Sequence, residues 1–180
     1  ITRLGQNMQH NVSISGGLNK TTYRASLNYL RTQGVLRFSD HQRVNVALSV
    51  DQKLLKDKLT ISLNTKNGFT NDQFGPNVIG AANAFDPTQP VYDENNTANG
   101  GFFQWANPIV TGNPVASQEQ QRDKGESFRN LTNLTLRYEI PFISGLSFNA
   151  NFAYDLNDGS KVFTRQPDSR ESVNGNNGSV

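Results

Sequence analysis

Hydrophobic residues recur at every second position in six stretches of this chain. The clearest is residues 44–50, where valine or leucine at the even positions alternates with small or polar residues. Successive side chains of a β-strand point to opposite faces, so this period predicts strands with one apolar and one polar face. The other stretches lie within residues 11–15, 23–29, 59–64, 134–140 and 146–155. We therefore predict about six strands, each able to cross a bilayer at the usual length of about 9–11 residues.

Short and long connections alternate between these predicted strands. The short ones are predicted at residues 16–20, 55–58 and 142–145, and the long ones at 33–40, at about 71–121 and in the polar tail from Asn157. Successive turns of an antiparallel sheet fall on opposite ends, so all the short turns share one end. Outer-membrane barrels show this asymmetry, with short periplasmic turns and long extracellular loops.

The predicted fold is thus all-β, an antiparallel transmembrane β-barrel segment of about six strands. We expect four barrel strands, as two hairpins, in residues 1–70 and a long extracellular loop in residues 71–127. A barrel hairpin in residues 128–156 and the start of the next extracellular loop in residues 157–180 complete this division.

The composition fits a sheet with one wet face that carries little charge. Only 34% of the residues are hydrophobic and 18% are charged, so neutral amides and hydroxyls supply most of the polarity. The formal net charge is +2 without a basic run, which argues against a nucleic-acid partner. There is no cysteine, which excludes disulfides and thiolate metal sites, and no apolar run near 18 residues that would predict a transmembrane helix.

Six strands are too few to close a membrane barrel, because the smallest bacterial barrels have eight. An open sheet edge in lipid leaves backbone groups unpaired at several kcal/mol each. The chain also starts at Ile1 without Met or a signal-peptide pattern. We expect further strands from sequence outside this chain, and the polar face indicates a wide barrel with a watery or plugged lumen.

Four segments resemble a known family. Residues 9–17 and 20–29 resemble the start of the barrel in SusC/RagA-like TonB-dependent transporters, and so do residues 33–36 and the Asp-Pro-Thr-x-Pro-Val-Tyr element within residues 85–93. The resemblance implies a 22-stranded barrel with an N-terminal plug in the bacterial outer membrane. It also implies active import of oligosaccharides or peptides, with a SusD-like surface lipoprotein and the TonB complex as partners and no cofactor.

Polar residues at alternate strand positions are the candidates to face the lumen and the plug. We expect this role for Arg24, Asn28, Asn45, Asp51, Asn64, Lys66, Arg137 and Glu139. Opposite charges there would hold a plug by hydrogen bonds that break stepwise, although simple solvation of these side chains explains them equally well.

Four aromatic residues in the long loop are the candidate ligand-binding group: Tyr92, Phe102, Phe103 and Trp105. Rings stack on the apolar faces of sugars while neighbouring amides bond the hydroxyls. The alternative is that the rings pack the loop on itself or against the partner lipoprotein, since large loops need some core to stay ordered.

Catalytic and metal chemistry are not predicted. His10 and His41 lie far apart without a companion at ligand spacing, and Ser13 and Ser15 lack the Gly-x-Ser-x-Gly elbow. The loop carboxylates match no calcium-loop spacing, and the prolines beside Asp86 indicate a turn. We therefore predict a transport protein and not an enzyme. The alternatives are a small outer-membrane barrel or adhesin, and a secreted carbohydrate-binding β-sandwich.

Overall fold

The structure is a computed structural model and describes residues 1–173. Six strands form a single antiparallel sheet in which each strand pairs with its neighbours in chain order. They are β1 (Gln6–Leu18), β2 (Thr21–Gln33), β3 (Asp40–Leu54), β4 (Leu59–Phe74), β5 (Gln121–Glu139) and β6 (Ser147–Arg165). The predicted all-β barrel segment of six strands is confirmed, whereas a β-sandwich would need a second sheet.

The helices are short and lie outside the sheet. They are α1 (Ile79–Ala84), a 3₁₀ turn (Thr97–Asn99), α2 (Pro114–Gln120) and α3 (Arg170–Val173). Among residues 1–173 no helix has both the length and the apolar character needed to cross a membrane.

The first hairpin turn is shorter than predicted. Gly16 and Gly17 belong to β1, and only Asn19 and Lys20 connect it to β2, with Asn19 in the left-handed region at φ 54°. Gly16 pairs with Tyr23, and a Cβ at Gly16 would lie 2.6 Å from the Tyr23 hydroxyl oxygen. The glycines that suggested a turn therefore make room for a cross-strand tyrosine.

The last two strands are longer than predicted. β5 begins at Gln121 and not near residue 128, and β6 continues to Arg165 and not only to about residue 156. The added residues are mostly polar, and their apolar residues Val162 and Phe163 are adjacent in sequence, so they carry no period-two signal. Backbone pairing alone continues the hairpin there, from Arg129↔Asn157 to Gln121↔Arg165.

The sheet itself has no core. No residue of the six strands is fully buried, and the buried apolar residues of the described chain are Val78, Phe102 and Ala116, all in the connection between β4 and β5. Large apolar side chains of the strands are exposed instead, including Val12 (68%) and Phe152 (60%). Such a sheet needs an apolar surrounding on one side.

Candidate functional site

One face of the sheet carries the apolar side chains in an ordered band. In β4 and β5 the cross-strand pairs Leu63↔Leu134 and Ile61↔Leu136 form its centre. Aromatic residues border both ends, with Tyr29, Phe69 and Phe128 toward the long connections and Tyr138 and Phe148 toward the short turns. The Phe69 and Phe128 ring centroids are 4.9 Å apart.

The height of this band matches a bilayer. From Leu59 to Phe69 the strand rises by about 33 Å at roughly 3.3 Å per residue. At a tilt of about 45° this becomes about 24 Å, close to the roughly 25 Å apolar belt of outer-membrane barrels. The aromatic borders therefore have the spacing of two interfacial girdles.

A polar cluster interrupts the band between β4 and β5. It consists of Thr65, Asn67, Asn130 and Thr132, which form the cross-strand pairs Thr65↔Thr132 and Asn67↔Asn130. The Asn130 amide donates to Asn67 Oδ1 at 2.6 Å, the two threonine hydroxyls are 2.9 Å apart, and Thr132 donates to Asn130 Oδ1 at 3.0 Å. Mutual hydrogen bonding lowers the cost of polar groups on an apolar surface.

The opposite face holds every residue predicted to face the lumen. The pairing register places all eight on this polar face: Arg24, Asn28, Asn45, Asp51, Asn64, Lys66, Arg137 and Glu139. Only some of them contact each other. The Asn45 amide donates to Asn28 Oδ1 at 3.3 Å, and Arg137 lies 3.7 Å from Glu139. Their contact with a plug stays a prediction.

The four aromatic residues of the loop divide into two pairs. Tyr92 packs on Phe102 with ring centroids 5.3 Å apart, and Phe103 meets Trp105 edge-on at 5.3 Å. Phe85 contacts Phe103 from the other side at 6.3 Å. Phe102 is only 8% exposed and packs the loop, whereas Tyr92 is 59% exposed. Of the candidate ligand contacts, Tyr92 is therefore the most accessible and Phe102 is covered.

Asn113 organises the loop around these rings. Its side-chain amide donates to the carbonyls of Val91 (2.7 Å) and Phe103 (3.2 Å), while its Oδ1 accepts from Val115 N at 3.0 Å and caps α2. The side chain is fully buried. A buried amide with all these partners holds the aromatic segment against the helix.

Contacts from α2 attach the loop to the rest of the chain. The buried Gln118 side chain donates to the Ile1 carbonyl at 3.1 Å, and Glu119 pairs with Arg37 at 3.2 Å. Gln120 donates to the carbonyls of Asn99 and Asp168 at 3.1 and 3.3 Å. The loop is thus an ordered cover over the long-connection end of the sheet.

Asp86 forms the turn that its neighbouring prolines indicated. The backbone N–H and the hydroxyl of Thr88 donate to Asp86 Oδ1 at 2.9 and 2.7 Å. The backbone hydrogen bond first, and then the hydroxyl, hold the pKa of Asp86 below its ordinary value. These contacts assign Asp86 a conformational role.

The two histidines lie on opposite faces of the sheet. His10 is on the apolar face, and His41 is on the polar face with Nδ1 2.5 Å from Asp72 Oδ1. Over residues 1–173 no three or more His, Asp or Glu side chains are grouped to hold a metal ion.

Sequence reasoning missed one row of residues on the polar face. Phe74, Asp123 and Phe163 are direct cross-strand neighbours on β4, β5 and β6. Asp123 and Phe163 lie where β5 and β6 extend beyond their predicted bounds, and Phe74 lies at the end of β4, beyond the predicted limit at residue 70. Only the registers of the two strand pairs bring them together.

No family model matches the chain, but curated proteins and solved structures do. It is 28% identical over 186 residues to the TonB-dependent receptor SusC of Bacteroides thetaiotaomicron, covering 93% of this chain and 18% of that receptor. It is 31% identical over 124 residues to the TonB-dependent receptor P26 of Formosa agariphila, covering 66% of this chain and 12% of that receptor.

The fold is similar to that of a chain in the structure of the RagAB peptide importer in its "closed-closed" state. The TM-score is 0.67 at 18% identity, covering 89% of this chain and 18% of that one. This chain therefore spans less than a fifth of the length of each of these proteins. By sequence and by fold, the chain fits a barrel segment of a SusC-like TonB-dependent transporter, which confirms the resemblance.

Proposed function

We propose that this chain forms part of the wall of a TonB-dependent importer in the bacterial outer membrane. The observation that carries the proposal is the apolar band of about 24 Å between two aromatic borders, on a sheet with an opposite polar face. The open edges β1 and β6 would pair with further strands of the same barrel, since unpaired edges are costly in lipid. The similarity to TonB-dependent receptors supports the same conclusion.

The importer would take up oligosaccharides or peptides together with a SusD-like surface lipoprotein. The relevant support is the end-to-end asymmetry of the segment, with residues 75–120 folded over one end and tight turns at the other. The long-connection end is then extracellular and carries the surfaces that ligand and lipoprotein would meet. Catalysis has no part in this proposal.

A first experiment measures the mass and the location of the parent polypeptide. A peptide from this segment is followed by mass spectrometry in an outer-membrane fraction. This chain uses about 30 residues per strand with its connection, so about 22 strands need about 660 residues, and a plug takes the species above roughly 70 kDa. A species near about 20–25 kDa would contradict the importer and leave the small barrel or adhesin.

A second experiment tests energy coupling in intact cells. Uptake of a labelled oligosaccharide or peptide substrate should stop when the proton-motive force is collapsed, and also when the parent gene is deleted. Binding at the cell surface should survive the collapse. Uptake that continues without the proton-motive force would contradict TonB-dependent transport.

The loop aromatics that keep an accessible surface are the proposed ligand contact: the exposed Tyr92 and the half-buried Phe103 and Trp105. Trp105→Ala should weaken ligand affinity by about 10-fold, as truncation of an aromatic contact often does, without changing the thermal stability of the barrel. Phe102→Ala is the matched control, because Phe102 is buried and its removal should disturb the packing of the loop and not remove a direct ligand contact. Unchanged affinity of the Trp105 variant would leave these rings with a packing role only.

A further inference from the structure

The missed row on the polar face places a carboxylate between two aromatic rings. Asp123 on β5 pairs with Phe74 on β4 and with Phe163 on β6, so the three side chains point to the same side on adjacent strands. That side is the polar face of Arg137 and Glu139. Phe74 and Phe163 are 46% and 40% exposed, so each ring has a free surface.

A small cavity opens at this row. It has a volume of about 130 Å³ and is lined by Phe74, Gly75, Pro76, Gln121, Asp123 and Phe163.

Gly125 sets the position of one wall of the cavity. A Cβ at Gly125 would lie 3.2 Å from the Phe74 ring, so the glycine allows this ring to lie flat against β5. The amide of Gln121 supplies a hydrogen-bonding group beside the rings. The cavity thus combines two apolar surfaces with an amide and a carboxylate.

The carboxylate is only half satisfied. Asp123 Oδ2 forms an ion pair with Lys161 Nζ at 2.9 Å. Asp123 Oδ1 is buried and has no hydrogen-bond partner among residues 1–173. Arg165 Nε is likewise buried without an acceptor in this part of the chain, and its guanidinium carbon is 5.3 Å from the Phe163 ring centroid. One unmet acceptor and one unmet donor therefore flank the same ring, and each is costly to leave unpaired.

The charges around the cavity decide what it could accept. Lys161 and Arg165 outweigh Asp123, so a cationic side chain would enter a positive surrounding. A neutral hydroxyl group can donate to the accessible part of the Asp123 carboxylate and accept from the Gln121 amide. Rings on both sides suit a ligand with apolar C–H faces between its hydroxyls.

We propose that this row is a binding subsite for one neutral sugar ring of an oligosaccharide. The proposal rests on the importer function and gives it a substrate class. Phe74 lies five residues beyond the girdle residue Phe69, about 16 Å farther along the strand. The subsite is therefore at the mouth of the barrel, above the apolar band, where a glycan chain would enter the lumen.

The test uses the full-length parent protein, purified in detergent, with maltohexaose, cellohexaose and mannohexaose as probes. At least one of them should bind in calorimetry, and Asp123→Asn and Phe163→Leu should each weaken that binding about 10-fold. Asp123→Asn keeps the size of the side chain, Phe163→Leu keeps an apolar side chain but removes the ring, and heat-modifiable gel mobility checks that both variants fold. Val162→Ala on the apolar face of the same strand is the matched control and should bind like the wild type.

Two results would overturn the subsite. One is that none of the three hexasaccharides binds while a library of hexapeptides does. The other is that the folded Asp123→Asn and Phe163→Leu variants bind as tightly as the Val162→Ala control. If uptake still depends on the proton-motive force, either result overturns the subsite and not the importer function. If the variants bind more weakly than the control but uptake does not depend on the proton-motive force, the importer function alone is contradicted.

Discussion

The six strands and the loop of residues 75–120 differ in what surrounds their side chains. The strands expose large apolar residues and bury none, so their order depends on backbone pairing and on the medium outside the sheet. The loop instead buries polar side chains, above all Asn113, Gln118 and Gln120, beside a few apolar ones. Its order depends on hydrogen bonds from these amides to backbone carbonyls. The strands thus depend on an apolar medium outside the chain, whereas the loop has a core made largely of amides.

The largest effect should come from a charge placed in the apolar band. Leu134→Arg on the membrane face should destabilise the barrel by about 2–4 kcal/mol, the cost of arginine near the bilayer midplane. Asn133→Arg, one residue away on the polar face, should cost much less. Urea titration of the full-length protein in lipid vesicles measures both, and equal costs would show that the two faces share one surrounding.

The second-largest loss of stability should come from Asn113→Ala and should be confined to the loop. Asn113→Ala removes the cap of α2 and leaves the carbonyls of Val91 and Phe103 without their donor. The lost cap and the unmet carbonyls together should destabilise the loop by about 1–3 kcal/mol. Hydrogen exchange should then rise in residues 75–120 but not in the strands. Asn95→Ala, at an exposed position of the same loop, is the control.

A smaller loss of stability is expected from changes in the polar cluster, whose amide side chains hydrogen-bond to each other within the apolar band. Asn130→Leu leaves Asn67 without its strongest partner and should cost about 1–2 kcal/mol. Adding Asn67→Leu should recover most of that loss, since two apolar residues then face each other. The same urea titration gives this double-mutant cycle, and additive losses would show that the two amides act independently.

The smallest effect concerns pH and the turn at Asp86. Its pKa in the folded loop is lowered, so its contribution to loop stability is present above the ordinary pKa of about 3.8. That contribution is lost as the pH falls through the lower folded value. Thr88→Val should raise the pKa of Asp86 partway, because the backbone donor remains. NMR titration of the carboxyl carbon measures the shift, and an unchanged value would assign it to the backbone hydrogen bond alone.

The sequence predicted the part of the fold in which side chains alternate. Period two is visible there because one face carries apolar and the other polar side chains. The six strands are confirmed, and the eight candidate lumen residues share the polar face, while their role stays a prediction. Toward the long connections from Phe128 and Leu156 most residues of both faces are polar, and Val162 and Phe163 are adjacent and do not alternate, so these parts of β5 and β6 left no signal. The prediction of a turn at Gly16 was wrong for a different reason: the glycine lies within β1 and leaves space for the side chain of Tyr23 on the neighbouring strand.

The candidate sites were harder to predict, because they depend on register. The aromatic loop residues are visible in sequence, but their division into a covered Phe102 and an exposed Tyr92 follows from the fold around Asn113. Phe74 and Phe163 are far apart in the chain, and only the pairing of three strands places Asp123 between them.

The length of the connection between β4 and β5 also has a kinetic consequence. Joining two strands through residues 75–120 costs roughly 3 kcal/mol more closure entropy than joining them through a two-residue turn. The hairpins β1–β2, β3–β4 and β5–β6 can therefore zip up quickly, while docking of β5 on β4 becomes the slow step of assembly. If the loop folds early around Asn113, its two ends come close together and β5 finds β4 sooner. The loop that covers the barrel would then also speed its assembly.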